Sequence, residues 1–132
     1  MRNVKIAVVE SDGTVRDFIV NLLTYCVNRH VLSFEEGQSA WAYFKEHDDV
    51  DIIMLEVGLP GMNGLDILGK VKELDPEKVC VAMSANPADE AAARNLGADA
   101  FLAKPFDMDD LFNVVQSFVA KDDKPSGDIA KK

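Results

Sequence analysis

The sequence predicts an α/β fold in which five parallel strands form one doubly wound sheet with helices on both faces. The first observation is that five short apolar runs alternate along the chain with five segments whose apolar residues recur every three or four positions. Such runs are typical of strands buried on both faces of a parallel sheet, and the recurring spacing is typical of helices that cover it. The second observation is the length of 132 residues, which suits one compact domain.

The first strand and the first helix have the clearest patterns. Residues 4–9 are almost wholly apolar and rich in β-branched side chains, which predicts a buried strand. Asp12 is suited to cap the next helix, because its carboxylate can accept hydrogen bonds from free backbone N–H groups. One apolar helix face, predicted to pack on the sheet, then contains Val15, Phe18, Ile19, Leu22, Leu23 and Cys26.

The middle of the chain repeats this alternation twice. Residues 30–34 predict the second strand, and Gly37 introduces the second helix. Residues 51–55 predict the third strand, and the loop 58–64 after it is dense in turn-forming residues. The helix faces contain Ala40, Trp41 and Phe44 in the second helix and Ile67, Leu68, Val71 and Leu74 in the third, which ends before Pro76.

The last part of the chain adds two strands and two helices. Residues 79–83 predict the fourth strand, and Pro87 suits the first turn of an alanine-rich helix that ends at Gly97. Residues 100–103 predict the fifth strand. Asp107 can cap the last helix, whose apolar face contains Leu111, Val114, Val115 and Phe118.

The C-terminal segment KDDKPSGDIAKK has no helical or strand periodicity. Its composition is typical of a flexible linker. We therefore expect a domain over residues 1–120 and, over residues 121–132, a flexible tail or the beginning of a linker to a further domain.

Charge and apolar length exclude several classes of protein. The formal net charge of -9 would repel nucleic-acid phosphates and anionic lipid headgroups, so we expect no direct nucleic-acid binding, and a partner bound through charge should be basic. The apolar stretch before Glu10 is too short for a signal-peptide core or a membrane span. Cys26 and Cys80 lie within apolar patterns and lack metal-ligand spacing, which favours buried, reduced thiols. We expect a cytoplasmic protein that does not bind membranes.

Polar side chains follow four of the five predicted strands. In chain order they are Glu10, Ser11 and Asp12, then Glu56, then Ser84, and finally Lys104 with Pro105. The carboxyl ends of parallel strands meet at one edge of the sheet, where doubly wound folds bind their ligands. Carboxylates suit a hard cation such as Mg²⁺, whereas a lysine and a hydroxyl suit phosphoryl oxygens. The arrangement predicts phosphate chemistry.

Three motifs in this order and spacing resemble the receiver domain of bacterial response regulators, of the CheY-like chemotaxis type. They are DIIMLEVGLPGMNGLDIL, AMSA around Ser84 and FLAKPF around Lys104, and the resemblance covers about residues 3 to 120. It implies a three-layer sandwich, also found in flavodoxins, with the strand order 2-1-3-4-5. It also implies a role in two-component phosphorelay signalling, with a histidine kinase or another signalling protein as partner.

The resemblance implies a role for each candidate site residue. Glu10 falls in the acidic pair, with Ser11 and Asp12 beside it, and the backbone carbonyl of Gly58 falls at a metal ligand. The implied phosphoacceptor position is Glu56, the switch residues are Ser84 and Phe101, and the phosphate-sensing lysine is Lys104, joined to Pro105 by a cis peptide. Taken singly, Ser84 would also fit a turn and Phe101 a core position, so the flanking motifs carry these assignments.

Two positions depart from the family pattern. The family usually has two consecutive carboxylates in the acidic pair, whereas this chain has Glu10 followed by the neutral Ser11, so we expect only weak Mg²⁺ binding. Asp12 could substitute, but strand alternation points it away from the side of Ser11. Glu56 replaces the acceptor aspartate, and its extra methylene moves the nucleophilic oxygens by about 1.5 Å. We expect phosphorylation to be slow or absent, and Glu56 to be a candidate for an incomplete phosphate mimic.

Three functions are compatible with these residues. The leading hypothesis is a regulatory binding module, not an enzyme, that contacts partners or a second copy of itself through helix 4, strand 5 and helix 5. The second is ordinary phosphorelay, in which a histidine kinase still phosphorylates the site with Mg²⁺. The third is a flavodoxin-like electron carrier that binds FMN after the first strand. Composition counts against the third, because Glu10 and Asp12 would repel the FMN phosphate. We therefore expect no FMN or other organic cofactor.

Overall fold

A computed structural model describes residues 4–25 and 30–123. Strands and helices alternate in the predicted order. The strands are β1 (Lys5–Val9), β2 (His30–Phe34), β3 (Ile52–Glu56), β4 (Val79–Ser84) and β5 (Ala100–Ala103). The helices are α1 (Gly13–Tyr25), α2 (Gly37–Glu46), α3 (Gly64–Leu74), α4 (Asp89–Asn95) and α5 (Met108–Asp123).

All strand pairs are parallel, and the sheet order is β2-β1-β3-β4-β5. This confirms the predicted fold class and the order 2-1-3-4-5. Because β1 and β3 are adjacent at the centre of the sheet, the segments that follow them lie side by side. The same holds for the segments after β4 and β5. The topology therefore brings four chain segments to one edge of the sheet.

The core consists of two apolar clusters, one on each face of the sheet. The first-face cluster packs α2, α3 and α4 on the sheet, and its helix residues include Ala40, Phe44, Ile67, Leu68, Val71 and Ala93. The second-face cluster packs α1 and α5 on the sheet, and its helix residues include Ile19, Leu22, Leu23, Leu111, Val115 and Val119. Alternation along β1 sends Ala7 to the first cluster and Val8 to the second, as expected for a strand buried on both faces.

Two glycines allow helices to approach the site edge closely. A Cβ on Gly64, the first residue of α3, would collide with the carbonyl oxygen of Glu56 and lie 2.8 Å from Cα of Val57. A Cβ on Gly37, at the beginning of α2, would collide with the carbonyl oxygen of Met62. Glycine at these positions therefore lets both helices begin directly against the end of β3 and the loop after it.

A few boundaries differ from the sequence prediction. Helix α5 continues to Asp123, past the expected boundary at residue 120, because helical backbone hydrogen bonds do not require the apolar face that the prediction followed. Pro87 lies in a turn before α4, which begins at Asp89. Cys80 is buried and free, as expected, whereas Cys26 and residues 124–132 lie outside the described ranges. In the part of the chain that the structure describes, no helix is long and apolar enough to cross a membrane.

Candidate functional site

The predicted site residues converge at the carboxyl edge of the sheet. Glu10 follows β1 directly and Lys104 follows β5 directly, as expected. Glu56 and Ser84 are instead the last residues of β3 and β4, one position earlier relative to the strands than predicted. These strand ends hold the backbone of the site in place.

Lys104 lies between the two glutamates. Its Nζ is 2.8 Å from Oε1 of Glu10 and 3.3 Å from Oε2 of Glu56. Glu10 is fully buried, and its Oε1 has no hydrogen-bond partner among residues 4–25 and 30–123, so the contact with Lys104 is an ion pair without hydrogen-bond alignment. One ammonium group therefore compensates two neighbouring carboxylates.

Ser11 binds Glu56 from the other side. Both the backbone N–H and the hydroxyl of Ser11 donate to Oε1 of Glu56, at 2.9 Å and 2.8 Å. With Lys104 donating to Oε2 at 3.3 Å, both oxygens of Glu56 are engaged. The position that the family resemblance assigns to a metal ligand thus acts here as a hydrogen-bond donor.

The loop after β1 is held by its own contacts. The backbone N–H of Asp12 donates to Oε2 of Glu10 at 3.1 Å, and Arg16 donates through Nη1 to the Glu10 carbonyl at 2.8 Å. The Asp12 carboxylate caps α1, accepting from the backbone N–H groups of Thr14 at 2.9 Å and Val15 at 3.1 Å. The capping prediction is confirmed, and this carboxylate is directed to the helix and not to Glu56.

The three charged groups perturb one another. Burial raises the pKa of Glu10 above its usual range, and the contacts of this carboxyl with Lys104 and Asp12 offset only part of that effect. Burial also acts to raise the pKa of Glu56, but the two Ser11 hydrogen bonds and the Lys104 charge outweigh it and hold the pKa below its usual value. The pKa of Lys104 is raised, because its two glutamate partners outweigh the effect of burial. At neutral pH this cluster stabilises the ammonium form of Lys104 and the carboxylate form of Glu56.

The predicted switch residues lie close by but face elsewhere. Ser84 is buried, and its hydroxyl donates to Oδ2 of Asp89 at 2.6 Å and accepts from the backbone N–H of Asn86 at 3.0 Å. Glu56 therefore contacts Lys104, whereas the Ser84 hydroxyl bonds to Asp89. Phe101 is half-buried and packs against the first-face cluster.

The remaining candidate positions lie at the rim of the site. Gly58 is exposed in the loop after β3, with open space where a Cβ would lie. The Lys104–Pro105 peptide bond is cis, as the resemblance implies. Sequence reasoning missed Arg16 and Asp89, because nothing in their spacing indicates that their side chains reach the loop after β1 and the end of β4.

The family resemblance implies an Mg²⁺ site, but the residues of this chain fit such an ion poorly. The Lys104 ammonium already lies within 3.3 Å of both carboxylates that would face the metal. Ser11 donates its hydroxyl hydrogen to Glu56 and can offer a cation only a neutral oxygen, without the charge of a carboxylate. Within the described ranges, no group of three His, Cys, Asp or Glu side chains is placed to hold a metal ion.

Known proteins resemble this chain in both sequence and fold. Residues 6–116 match the response regulator receiver domain family. The chain is 31% identical over 106 residues to the chemotaxis protein CheY homolog of Campylobacter jejuni, a match that covers 77% of this chain and 82% of that protein. It is 30% identical over 123 residues to the two-component response regulator-like protein PRR37 of Oryza sativa, covering 87% of this chain but only 16% of that protein.

A solved structure agrees with this assignment at the level of the fold. The CheY-like response regulator receiver domain protein of Methanospirillum hungatei has a TM-score of 0.83 at 20% identity, over 91% of this chain and 96% of that one. These matches favour a receiver over a flavodoxin-like electron carrier. This chain belongs to the receiver domain family of two-component response regulators.

Proposed function

We propose that this receiver domain acts as a regulatory binding module without being phosphorylated on Glu56. The observation that carries the proposal is the closed network around that side chain. Ser11 donates twice to one oxygen of Glu56, and Lys104 lies 3.3 Å from the other. Donors thus face three of the about four lone-pair sites of this carboxylate, which lowers its basicity and its strength as a nucleophile.

The metal requirement points the same way. Phosphoryl transfer depends on a cation that neutralises charge on the transferring group. We infer that Mg²⁺ binds this chain weakly, because Lys104 and Ser11 leave the ion without well-placed ligands. Glu56 has one methylene more than the aspartate of the family, which moves the attacking oxygen by about 1.5 Å from the position needed for in-line attack on phosphorus.

Glu56 also acts as a partial substitute for a phosphoryl group. Its carboxylate pairs with Lys104, as a phosphoryl oxygen would, but supplies one charge where a phosphoryl group supplies nearly two. Such a partly solvated pair contributes about 1 kcal/mol or less, whereas moving a two-state equilibrium from mostly off to mostly on needs about 5 kcal/mol. The domain therefore rests only partly biased towards its signalling form.

Receiver domains interact with histidine kinases and other signalling proteins, and we propose the surface of α4, β5 and α5 for such contacts here. Met108 is 53% exposed and Phe112 37%, so α5 has apolar side chains available for a partner. The net charge of -9 favours a basic partner, and a second copy of the chain is a further candidate. The proposed role is that of a cytoplasmic signalling module and not an enzyme.

Intact mass tests the proposal directly. After incubation with acetyl phosphate and Mg²⁺, we expect the wild-type mass to be unchanged. The double variant Ser11→Asp/Glu56→Asp restores the family's residues at both positions, and it should gain one phosphoryl group under the same conditions. Phosphorylation of the wild type would instead support ordinary phosphorelay through Glu56.

A further inference from the structure

The Ser84 hydroxyl bonds to two neighbours, and neither of them is Glu56. It donates to Oδ2 of Asp89 at 2.6 Å and accepts from the backbone N–H of Asn86 at 3.0 Å. Ser84 is only 8% exposed, so water has little access to it. A hydroxyl has one donor hydrogen, and here Asp89 takes it.

The bond to Asp89 belongs to the strong class of hydrogen bonds. An O–H···O⁻ distance of 2.6 Å is typical of a charge-assisted bond, which is about twice as strong as a neutral one. Asp89 lies in the first turn of α4, where negative charge is favoured by the helix dipole. Asp89 is also the first residue of α4, so the helix fixes the backbone from which its carboxylate reaches Ser84.

The alternative acceptor for Ser84 is already occupied. Oε1 of Glu56 accepts two hydrogen bonds from Ser11, and Oε2 contacts Lys104. Ser84 is nevertheless adjacent in the fold, because its carbonyl oxygen accepts from the backbone N–H of Lys104 at 2.9 Å. To turn towards Glu56, the Ser84 hydroxyl would have to leave the Asp89 carboxylate oxygen, to which it is the only hydrogen-bond donor among the described residues. It would then compete with Ser11 and Lys104 for the oxygens of Glu56.

We propose that Asp89 is a positioning residue that holds the Ser84 hydroxyl away from the Glu56–Lys104 pair and so keeps the switch at rest. This inference rests on the proposed function, in which Glu56 partly replaces a phosphoryl group. In the resting state Glu56 contacts Lys104, as a phosphoryl group would, but the Ser84 hydroxyl stays bonded to Asp89. The Ser84–Asp89 bond is therefore the contact that keeps Ser84 from responding to Glu56. Removing the Asp89 charge releases the hydroxyl.

The test measures the Ser84 side chain by NMR in the full chain. Three-bond couplings give the χ1 populations of Ser84, and the amide shift of Asn86 reports whether Ser84 still accepts its hydrogen bond. Asp89→Asn keeps the shape but makes the bond neutral, so the ratio of held to released Ser84 should fall by about tenfold. Asp89→Ala removes the acceptor and should release Ser84 fully. The matched control is Glu90→Gln, which neutralises the next residue along α4 and should leave Ser84 unchanged.

A second pair of variants separates this inference from the proposed function. In Asp89→Ala, the ring signals of Phe101 should shift, and in Asp89→Ala/Glu56→Gln they should return towards wild type while Ser84 stays released. A Ser84 rotamer that is unchanged in both Asp89 variants overturns the role of Asp89 and leaves the proposed function standing. If Ser84 is released but the Phe101 ring signals are the same in Asp89→Ala and in Asp89→Ala/Glu56→Gln, the role of Asp89 is supported and the role of Glu56 as a phosphate mimic is contradicted.

Discussion

Ser11 and Glu56 complement each other atom by atom. The hydroxyl and the backbone N–H of Ser11 both donate to Oε1 of Glu56. From the sequence, Ser11 could be predicted only as a lost metal ligand, because a serine is both donor and acceptor and its role depends on which group faces it. The Glu56–Lys104 contact could be predicted from opposite charges at the same edge of the sheet, whereas the hydrogen bond from Ser84 to Asp89 depends on a side-chain rotamer that no sequence spacing reveals.

Neutralising Glu56 should make stability less dependent on pH. The pKa of Glu56 is lowered in the folded state, so this carboxylate stabilises the fold above its ordinary value of 4.5, and that contribution is lost as the pH falls through the folded value. Glu56→Gln lacks the contribution at every pH. We expect the urea midpoints of wild type and variant to differ most near neutrality and to converge in acid.

The exposed Glu36 offers a matched control for this comparison, because its side chain makes no capping hydrogen bond. Glu36→Gln should unfold close to wild type at both ends of the pH range. A gap between wild type and Glu56→Gln that stays constant with pH would mean that the fold does not favour ionised Glu56.

Restoring a carboxylate at position 11 should make the protein depend on magnesium. Ser11→Asp has two effects: the hydroxyl donor to Glu56 is lost, and a third carboxylate is added beside those of Glu10 and Glu56. A bound dication would relieve the repulsion and stabilise the folded state by mass action. We expect Ser11→Asp to be less stable than wild type in EDTA and to regain stability as MgCl₂ is added, whereas wild type responds little.

Ser39→Asp is the matched control for added charge, since Ser39 is exposed on α2 and its hydroxyl bonds only to the nearby Glu36 carbonyl among its described contacts. It should show no specific magnesium response. If Ser11→Asp also fails to respond, Ser11 does not occupy the metal position.

Among the elements, the junction of β3 and α3 sets the position of Glu56. The order of strands and helices could be predicted from the spacing of their apolar residues. A strand buried on both faces is apolar throughout, whereas a helix buried on one face has apolar residues every three or four positions. The close approach of α3 to β3 could not, because it depends on the absence of a side chain at Gly64, and the sequence presents that residue only as part of a turn-rich loop.

Two glycines of α3 should therefore respond in opposite ways to alanine. Gly64→Ala drives a Cβ into the Glu56 carbonyl, and we expect a loss of about 1–3 kcal/mol or more together with displacement of Glu56. Gly69→Ala places its Cβ in ordinary contact with Leu96 at 3.7 Å and should stabilise the helix by up to about 1 kcal/mol. Urea unfolding of both variants measures the difference, and equal effects would contradict the close packing of α3 against β3.

In the whole molecule, both apolar clusters share one sheet and should unfold together. Leu111 is fully buried in the second-face cluster, whereas Trp41 packs against the first-face cluster. Leu111→Ala should cost about 2–5 kcal/mol and lower the midpoint reported by Trp41 fluorescence as much as the one reported by circular dichroism. Leu74→Ala, at a side chain that is 62% exposed, should change neither midpoint much. If the unfolding midpoint from Trp41 fluorescence is the same in Leu111→Ala as in wild type, the two faces of the sheet unfold separately.

The contacts of Lys104 cross the strands instead of following them. Its side chain connects the end of β5 to Glu10 after β1 and to Glu56 at the end of β3, passing over β4 between them. Strand ends normally fray, and their amide hydrogens exchange with solvent through small local openings. Here such an opening must also separate an ammonium from two carboxylates. The amides of Ser11 and Val57 should therefore be among the slowest of the loop amides to exchange with deuterium, and the edge that carries the signalling residues should be the more rigid end of the sheet.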